Sequence, residues 1–75
     1  MNADMELDAH GLNCPLPILR AKKSLAAMPS GAVIKVMATD PGAVKDFQAF
    51  AWQTGNELLS SAEASGEYVF FIRKG

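Results

Sequence analysis

The hydrophobic period of this chain changes at each proline- or glycine-containing break, and these changes constrain the fold more than any other feature. Apolar and polar residues alternate from Met5 to Ala9, which predicts a short, half-buried strand that residues 10–13 interrupt. A helical period follows over residues 15–28 and ends at residues 29–31, because proline and glycine are common just beyond a helix C-terminus. The apolar stripe of this helix contains Ile18, Ala21, Leu25 and Met28.

A second strand and a second helix follow in the same way. Val33–Ala38 is rich in β-branched residues and almost continuously apolar, which is typical of a central strand. Asp40 and Pro41 predict the next helix start, with Asp40 as the N-cap and Pro41 as the first helical residue. Gly55 stands where a left-handed residue ends a helix. We expect the side chains of Val44, Phe47, Phe50, Ala51 and Trp52 to pack inside the protein.

The last third of the sequence predicts a β-hairpin. Its arms are Glu57–Ala64 and residues 67–74, and Ser65-Gly66 supplies the turn. The element order is therefore β-α-β-α-β-β over a single domain of residues 1–75. The predicted fold is an α+β two-layer sandwich, in which a four-stranded mixed sheet carries both helices on one face. The right-handed crossover rule makes the first two strands parallel.

Such a fold leaves one face of the sheet without a helix. On the last strand Tyr68, Phe70 and Ile72 should share one face. Val69 and Phe71 should then lie on the other face, so both faces are apolar. Phe71 is either an ordinary exposed hydrophobic residue or part of a patch for a partner or a second copy, and both interpretations stay open.

Composition excludes several classes of protein. With 7 basic and 8 acidic residues the formal net charge is −1, which excludes strong nonspecific nucleic-acid binding through overall charge. No apolar run approaches the roughly 18 residues of a membrane span, and residues 1–6 lack the features of a secretory signal. The sequence has one cysteine, which cannot form a disulfide within the chain. We therefore expect a cytoplasmic protein in a reducing compartment.

That cysteine, Cys14, stands directly before Pro15 at the predicted strand-to-helix junction. A lone cysteine is often a small buried hydrophobic residue, but here Pro15 suits the first helical position and makes Cys14 the N-cap. Because Pro15 and Pro17 lack an N–H, the Leu16 N–H is the donor expected to reach the sulfur. The helix dipole should then favour the thiolate and lower the pKa of Cys14 below that of free cysteine.

The sequence lacks the residues that several other kinds of cysteine and metal chemistry require. Position 17 is proline, so the chain has no Cys-x-x-Cys motif, and one cysteine with one histidine does not make a zinc site. We expect neither a metal nor a cofactor. His10 is either a base for Cys14 or a solvated loop histidine. Arg20, Lys22 and Lys23 form a basic cluster on the first helix, which is either a solvated face or a docking site for an acidic partner.

The segment Gly11-Leu12-Asn13-Cys14-Pro15-Leu16-Pro17 resembles the Cys-Pro-x-Pro signature of the bacterial TusA/SirA sulfur-carrier family. Residues 39–42, 55–59 and 71–74 also resemble that family, so the likeness spans nearly the whole chain. It implies that Cys14 is the functional residue and that Gly11, Pro15, Leu16 and Pro17 position it. Members that thiolate tRNA carry glutamate between the two prolines, where this chain has Leu16.

The resemblance implies the same β-α-β-α-β-β fold and a role in sulfur transfer. Family members accept sulfane sulfur as a persulfide from a cysteine desulfurase or a rhodanese and pass it to an acceptor protein. Two alternatives stay open on the residues alone. One is a thiol redox sensor that oxidises at Cys14. The other is a noncatalytic regulatory or RNA-binding module, although direct nucleic-acid binding does not suit the charge balance.

Overall fold

The computed structural model describes residues 3–75; Met1 and Asn2, which belong to the stretch predicted to lack a secretory signal, lie outside the described residues. The chain forms four strands and two helices in the predicted order. They are β1 (Met5–Ala9), α1 (Leu16–Ala26), β2 (Val33–Ala38), α2 (Ala43–Thr54), β3 (Glu57–Ala64) and β4 (Glu67–Arg73).

The strands form one mixed sheet in the spatial order β1-β2-β4-β3. β1 pairs parallel to β2, with Ala9 opposite Ala38, while β4 is antiparallel to both β2 and β3. Ser65 and Gly66 both have positive φ, at 52° and 81°, which is the geometry of the predicted two-residue hairpin turn. The predicted fold class is confirmed.

Both helices pack on the same sheet face and enclose the hydrophobic core. Phe47 of α2 is fully buried, with its ring centroid 4.7 Å from that of Phe70 on β4. The alternation on β4 is as predicted, because Phe70 and Ile72 are buried whereas Val69 and Phe71 stay half-buried on the other face. The buried residues of the core are Ala9, Ala21, Leu25, Met28, Ile34, Val36, Ala38, Ala43, Phe47, Phe50, Phe70 and Ile72.

One predicted core residue is wrong. Trp52 on α2 is 85% exposed, so it contributes little to the core. Helix geometry gives the reason: five residues after Phe47, at about 100° per residue, a side chain lies about 140° around the helix from the buried stripe. The remaining predicted residues of this stripe are buried or, in the case of Val44, packed against the core.

Both helices begin one or two residues later than predicted. Pro15 is the N-cap of α1, so the prediction of Cys14 as N-cap is wrong. Gly42 is the N-cap of α2, and Asp40 therefore does not cap this helix from the N-cap position. Gly55 ends α2 with a φ of 74°, as predicted.

The C-terminal segment secures the end of α1. Ala27 donates to the Ser24 carbonyl and Met28 to the Leu25 carbonyl, each three residues back, which tightens the last turn. The Lys74 ammonium donates to the carbonyls of Leu25 at 2.6 Å and Met28 at 3.2 Å. A cation at this position also suits the negative end of the helix dipole. Among the described residues 3–75, neither helix has the length and apolar character needed to cross a membrane.

Candidate functional site

Cys14 lies in the loop between β1 and α1, at the edge of the sheet where β1 and β2 both end. Because these strands are parallel, the loops that follow them lie side by side. The Gly11 N–H donates to Thr39 Oγ1 at 2.9 Å, and the Cys14 N–H donates to Asp40 Oδ2 at 2.8 Å. The loop after β2 therefore holds the cysteine loop through two side-chain acceptors.

Asp40 joins the two loops through both of its carboxylate oxygens. Its Oδ1 accepts from the Gly42 N–H at 3.1 Å, and its carbonyl accepts from the Ala43 N–H at 3.0 Å. One carboxylate thus orders the start of α2 and fixes the backbone of Cys14. This explains why α2 starts later than predicted: Asp40 lies in a turn ahead of the helix, and its carboxylate accepts a hydrogen bond from the Cys14 backbone.

The residues of the Cys-Pro-Leu-Pro segment have separate roles. Pro17 in the first turn of α1 is fully buried, whereas Leu16 between the two prolines is 46% exposed. The Leu16 N–H donates to the Asn13 carbonyl at 2.8 Å, so its expected hydrogen bond to the sulfur is not formed. Gly11 has a φ of 77°, which glycine adopts without strain. The cysteine itself is exposed.

The electrostatic setting of Cys14 differs from the sequence-based expectation. Its pKa is raised above the ordinary value, first by the hydrogen bond between its side chain and Asp46, then by partial desolvation and by the charges of Asp46 and Asp40. The expected lowering of the thiol pKa is therefore wrong. The negative charges of Asp40, in the loop before α2, and of Asp46, in its first turn, disfavour the thiolate and so outweigh the helix dipole.

His10 does not point at the cysteine. Its Nδ1 lies 2.5 Å from Asp8 Oδ1 and its Nε2 lies 2.5 Å from Glu67 Oε2. These two hydrogen bonds raise the pKa of His10, that to Glu67 more than that to Asp8. The ring links the end of β1 to the start of β4, so His10 is neither a base for Cys14 nor a simply solvated residue. Within residues 3–75 no group of three or more His, Cys, Asp or Glu side chains is arranged to hold a metal.

The basic cluster of α1 is divided between two sides of the helix. Arg20 and Lys23 line a groove of about 570 Å³, but Lys22 does not. The groove reaches Leu16, two positions after the cysteine in sequence, and Leu16 and Leu19, which are 46% and 54% exposed, belong to its apolar lining. Leu7 and Ser24 complete its lining.

Sequence reasoning missed three residues that build the site: Thr39, Asp40 in its bridging role, and Asp46. A usable signal was present, because parallel β1 and β2 must bring the residues after Ala9 and Ala38 to one sheet edge. Polar side chains directly after β2 were therefore candidates for contact with the cysteine loop. Asp46 follows in the first turn of the helix that starts there.

Comparison with known proteins agrees with the fold. Residues 5–74 match the family described as "Sulfurtransferase TusA". The chain is 69% identical over 71 residues to the sulfur carrier protein TusA of Allochromatium vinosum, covering 95% of this chain and 93% of that protein. It is 52% identical over 73 residues to a putative sulfur carrier protein of Neisseria meningitidis serogroup A, covering 97% of each.

The crystal structure of a SirA-like protein from Desulfitobacterium hafniense has the same architecture. It superposes with a TM-score of 0.82 at 29% identity, covering 95% of this chain and 97% of that one.

Proposed function

The chain belongs to the TusA family of sulfur carriers, and from that premise we propose that Cys14 is the residue on which it carries sulfur, as a persulfide. One observation supports this assignment above the others. Cys14 is the one cysteine of the sequence, and it is exposed in a loop that hydrogen bonds hold at the sheet edge. A donor and an acceptor can therefore both reach its sulfur without any unfolding of the protein.

The transfer is a persulfide exchange without net oxidation or reduction. The sulfur of Cys14 attacks the outer sulfur of a donor persulfide, the S–S bond of the donor breaks, and the donor thiolate leaves. The proton of the Cys14 thiol ends on that departing thiolate. Discharge is the same step in reverse direction, with an acceptor thiolate attacking the outer sulfur on Cys14. Because the sequence has no second cysteine, no thiol of the same chain can expel that sulfur as sulfide.

The partners we propose are a cysteine desulfurase or a rhodanese as donor and a sulfur-accepting protein, in the reducing cytoplasm. Arg20 and Lys23 flank the exposed Leu16 and Leu19 in the groove beside the cysteine. A surface of this kind suits a partner that brings carboxylates around an apolar contact. Gly11, Pro15 and Pro17 position the cysteine loop, and Leu16 provides apolar contact next to the sulfur.

Intact-mass measurement tests the assignment directly. After incubation with a cysteine desulfurase and cysteine, the protein should gain the mass of one sulfur atom, and dithiothreitol should remove it. Cys14→Ser should abolish the gain while the circular dichroism spectrum stays that of the wild type, because the side chain is exposed and little packing is lost.

Other results would favour the alternatives. A protein that gains no sulfur from either a desulfurase or a rhodanese, but is readily converted to a sulfenic acid by dilute peroxide, is a redox sensor. A Cys14→Ser protein that keeps its full function in cells acts instead as a binding module.

A further inference from the structure

The His10 ring bridges two strands that are not neighbours in the sheet. β2 lies between β1 and β4, yet the ring reaches from Asp8 Oδ1 on β1, 2.5 Å from its Nδ1, to Glu67 Oε2 on β4, 2.5 Å from its Nε2. The strand register explains this reach, because it places His10, Thr39 and Glu67 side by side across the end of the three strands. His10 thus holds the start of the cysteine loop, residues 10–15, against the end of the sheet.

The next hydrogen bonds of the same loop lead to the cysteine. The Gly11 N–H donates to Thr39 Oγ1 at 2.9 Å, and the Cys14 N–H donates to Asp40 Oδ2 at 2.8 Å. The loop is therefore fixed in succession at His10, Gly11 and Cys14. A loop released at the first of these points is less restrained at the last, which is the backbone of the reactive residue itself.

Both hydrogen bonds of the ring require its charged form. An ionised carboxylate only accepts hydrogen bonds, and a neutral imidazole has a single N–H, so the charged ring alone donates to Asp8 and Glu67 together. Among the described residues, these two carboxylates are the charged groups that act on His10. The loop after β2 presents the neutral hydroxyl of Thr39, while its Asp40 carboxylate accepts from backbone N–H groups instead.

We propose that His10 is a positioning residue for sulfur transfer, and that its charged ring holds the cysteine loop in the geometry in which Cys14 exchanges sulfur. This inference rests on the proposed persulfide at Cys14. Attack on an S–S bond requires the attacking sulfur to be aligned with that bond, so the transfer rate scales with the fraction of molecules in which the loop is in place. That fraction falls as the pH rises and the ring loses its proton.

The test is a single-turnover transfer from a cysteine desulfurase that already carries a persulfide. Quenched-flow samples analysed by intact mass, at several protein concentrations, give a maximal rate and a half-saturating concentration. Near pH 6, His10→Ala should lower the maximal rate about two- to fivefold, as expected for exposed charged pairs. The half-saturating concentration should stay near that of the wild type, because Arg20 and Lys23 line a groove that does not include His10.

The pH dependence separates the charge of the ring from its bulk. Near pH 9 the wild-type ring is neutral, so the difference between wild type and His10→Ala should largely vanish. Each comparison is made at a single pH. The ionisation of Cys14 then cancels, since His10 is not among the groups that shift the pKa of that thiol.

A second pair of variants tests the other end of the bridge. Glu67→Gln keeps the shape of the side chain and removes the charge that His10 contacts, so it should slow transfer near pH 6 as His10→Ala does. Glu63→Gln removes the same charge from the other arm of the hairpin. Glu63 is exposed and belongs to none of the ion pairs found within residues 3–75, so this control should match the wild type. Circular dichroism checks that each variant is folded.

The possible failures are distinguishable. An unchanged maximal rate in folded His10→Ala near pH 6 overturns the inference, as does a loss of equal size near pH 6 and pH 9. NMR relaxation of the backbone amides needs no persulfide: near pH 6, His10→Ala should lower the order parameters of residues 11–14, and equal values also overturn the inference. A wild-type protein that accepts no sulfur from the loaded desulfurase contradicts the proposed function instead.

Discussion

At the scale of single residues, His10 makes the stability of the fold depend on pH. Its ring is hydrogen-bonded to Glu67 and Asp8, and these bonds raise its pKa, so the folded protein favours its charged form. A raised pKa in the folded state adds stability that is fully present below the unfolded value of about 6.5. That contribution is lost as the pH rises through the higher folded pKa.

We therefore expect His10→Ala to lower the melting temperature clearly near pH 6 and hardly at all near pH 9. Thermal unfolding of both proteins, followed by circular dichroism across this range, measures the difference. At strongly acidic pH a second change should appear, because the pKa of Asp8 is lowered by its hydrogen bonds with His10 and its contribution is lost as that carboxylate is protonated. A melting difference that is constant with pH would show that the ring adds no charged interaction.

At the scale of the elements, α2 offers a matched pair of aromatic residues. Phe47 is fully buried between Phe50 and Phe70, whereas Trp52 on the same helix is 85% exposed. Phe47→Ala should lower the free energy of unfolding by about 3 to 5 kcal/mol, because it leaves a cavity in the core. Trp52→Ala should change it by less than about 1 kcal/mol. Urea unfolding at 25 °C compares the two, and equal losses would contradict the assigned orientation of α2.

The elements that local chemistry governs could be predicted from the sequence. Gly55 and the Ser65-Gly66 turn lie where predicted, because a left-handed backbone is set by the residues themselves. Helix starts could not be placed as well. Asp40 looks like an N-cap in isolation, but in the folded chain its carboxylate serves a loop 26 residues earlier. Such a contact depends on how the strands pair, and no local sequence pattern predicts that pairing.

The same reason explains what was missed at the site. The motif residues around Cys14 predict where the sulfur is, and the structure places it in an exposed loop at the expected junction. Its charge environment comes from Asp46, which is 32 positions away in sequence and belongs to another helix. The dipole of α1 alone predicts a lowered thiol pKa, and the carboxylates of α2 and of the loop before it reverse that direction.

At the scale of the whole molecule, the groove beside Cys14 should guide its partners. Lys23→Glu reverses a charge that lines the groove, and Lys22→Glu reverses one on the same helix outside it. With a cysteine desulfurase and cysteine as the donor system, Lys23→Glu should slow the initial rate of sulfur loading severalfold, while Lys22→Glu changes it much less. Added salt should reduce the loading rate of the wild type and bring it closer to that of Lys23→Glu. Equal effects of both reversals would show that only net charge matters.

The exposure of Trp52 has a spectroscopic consequence. It is the one tryptophan of the sequence, and most of its indole ring contacts water. Its emission should therefore differ little between the folded and the denatured chain, which makes intrinsic fluorescence a poor monitor of unfolding. The same ring is a label-free reporter of association: any partner that covers this side of α2 will exclude water from the indole and shift its emission to shorter wavelength.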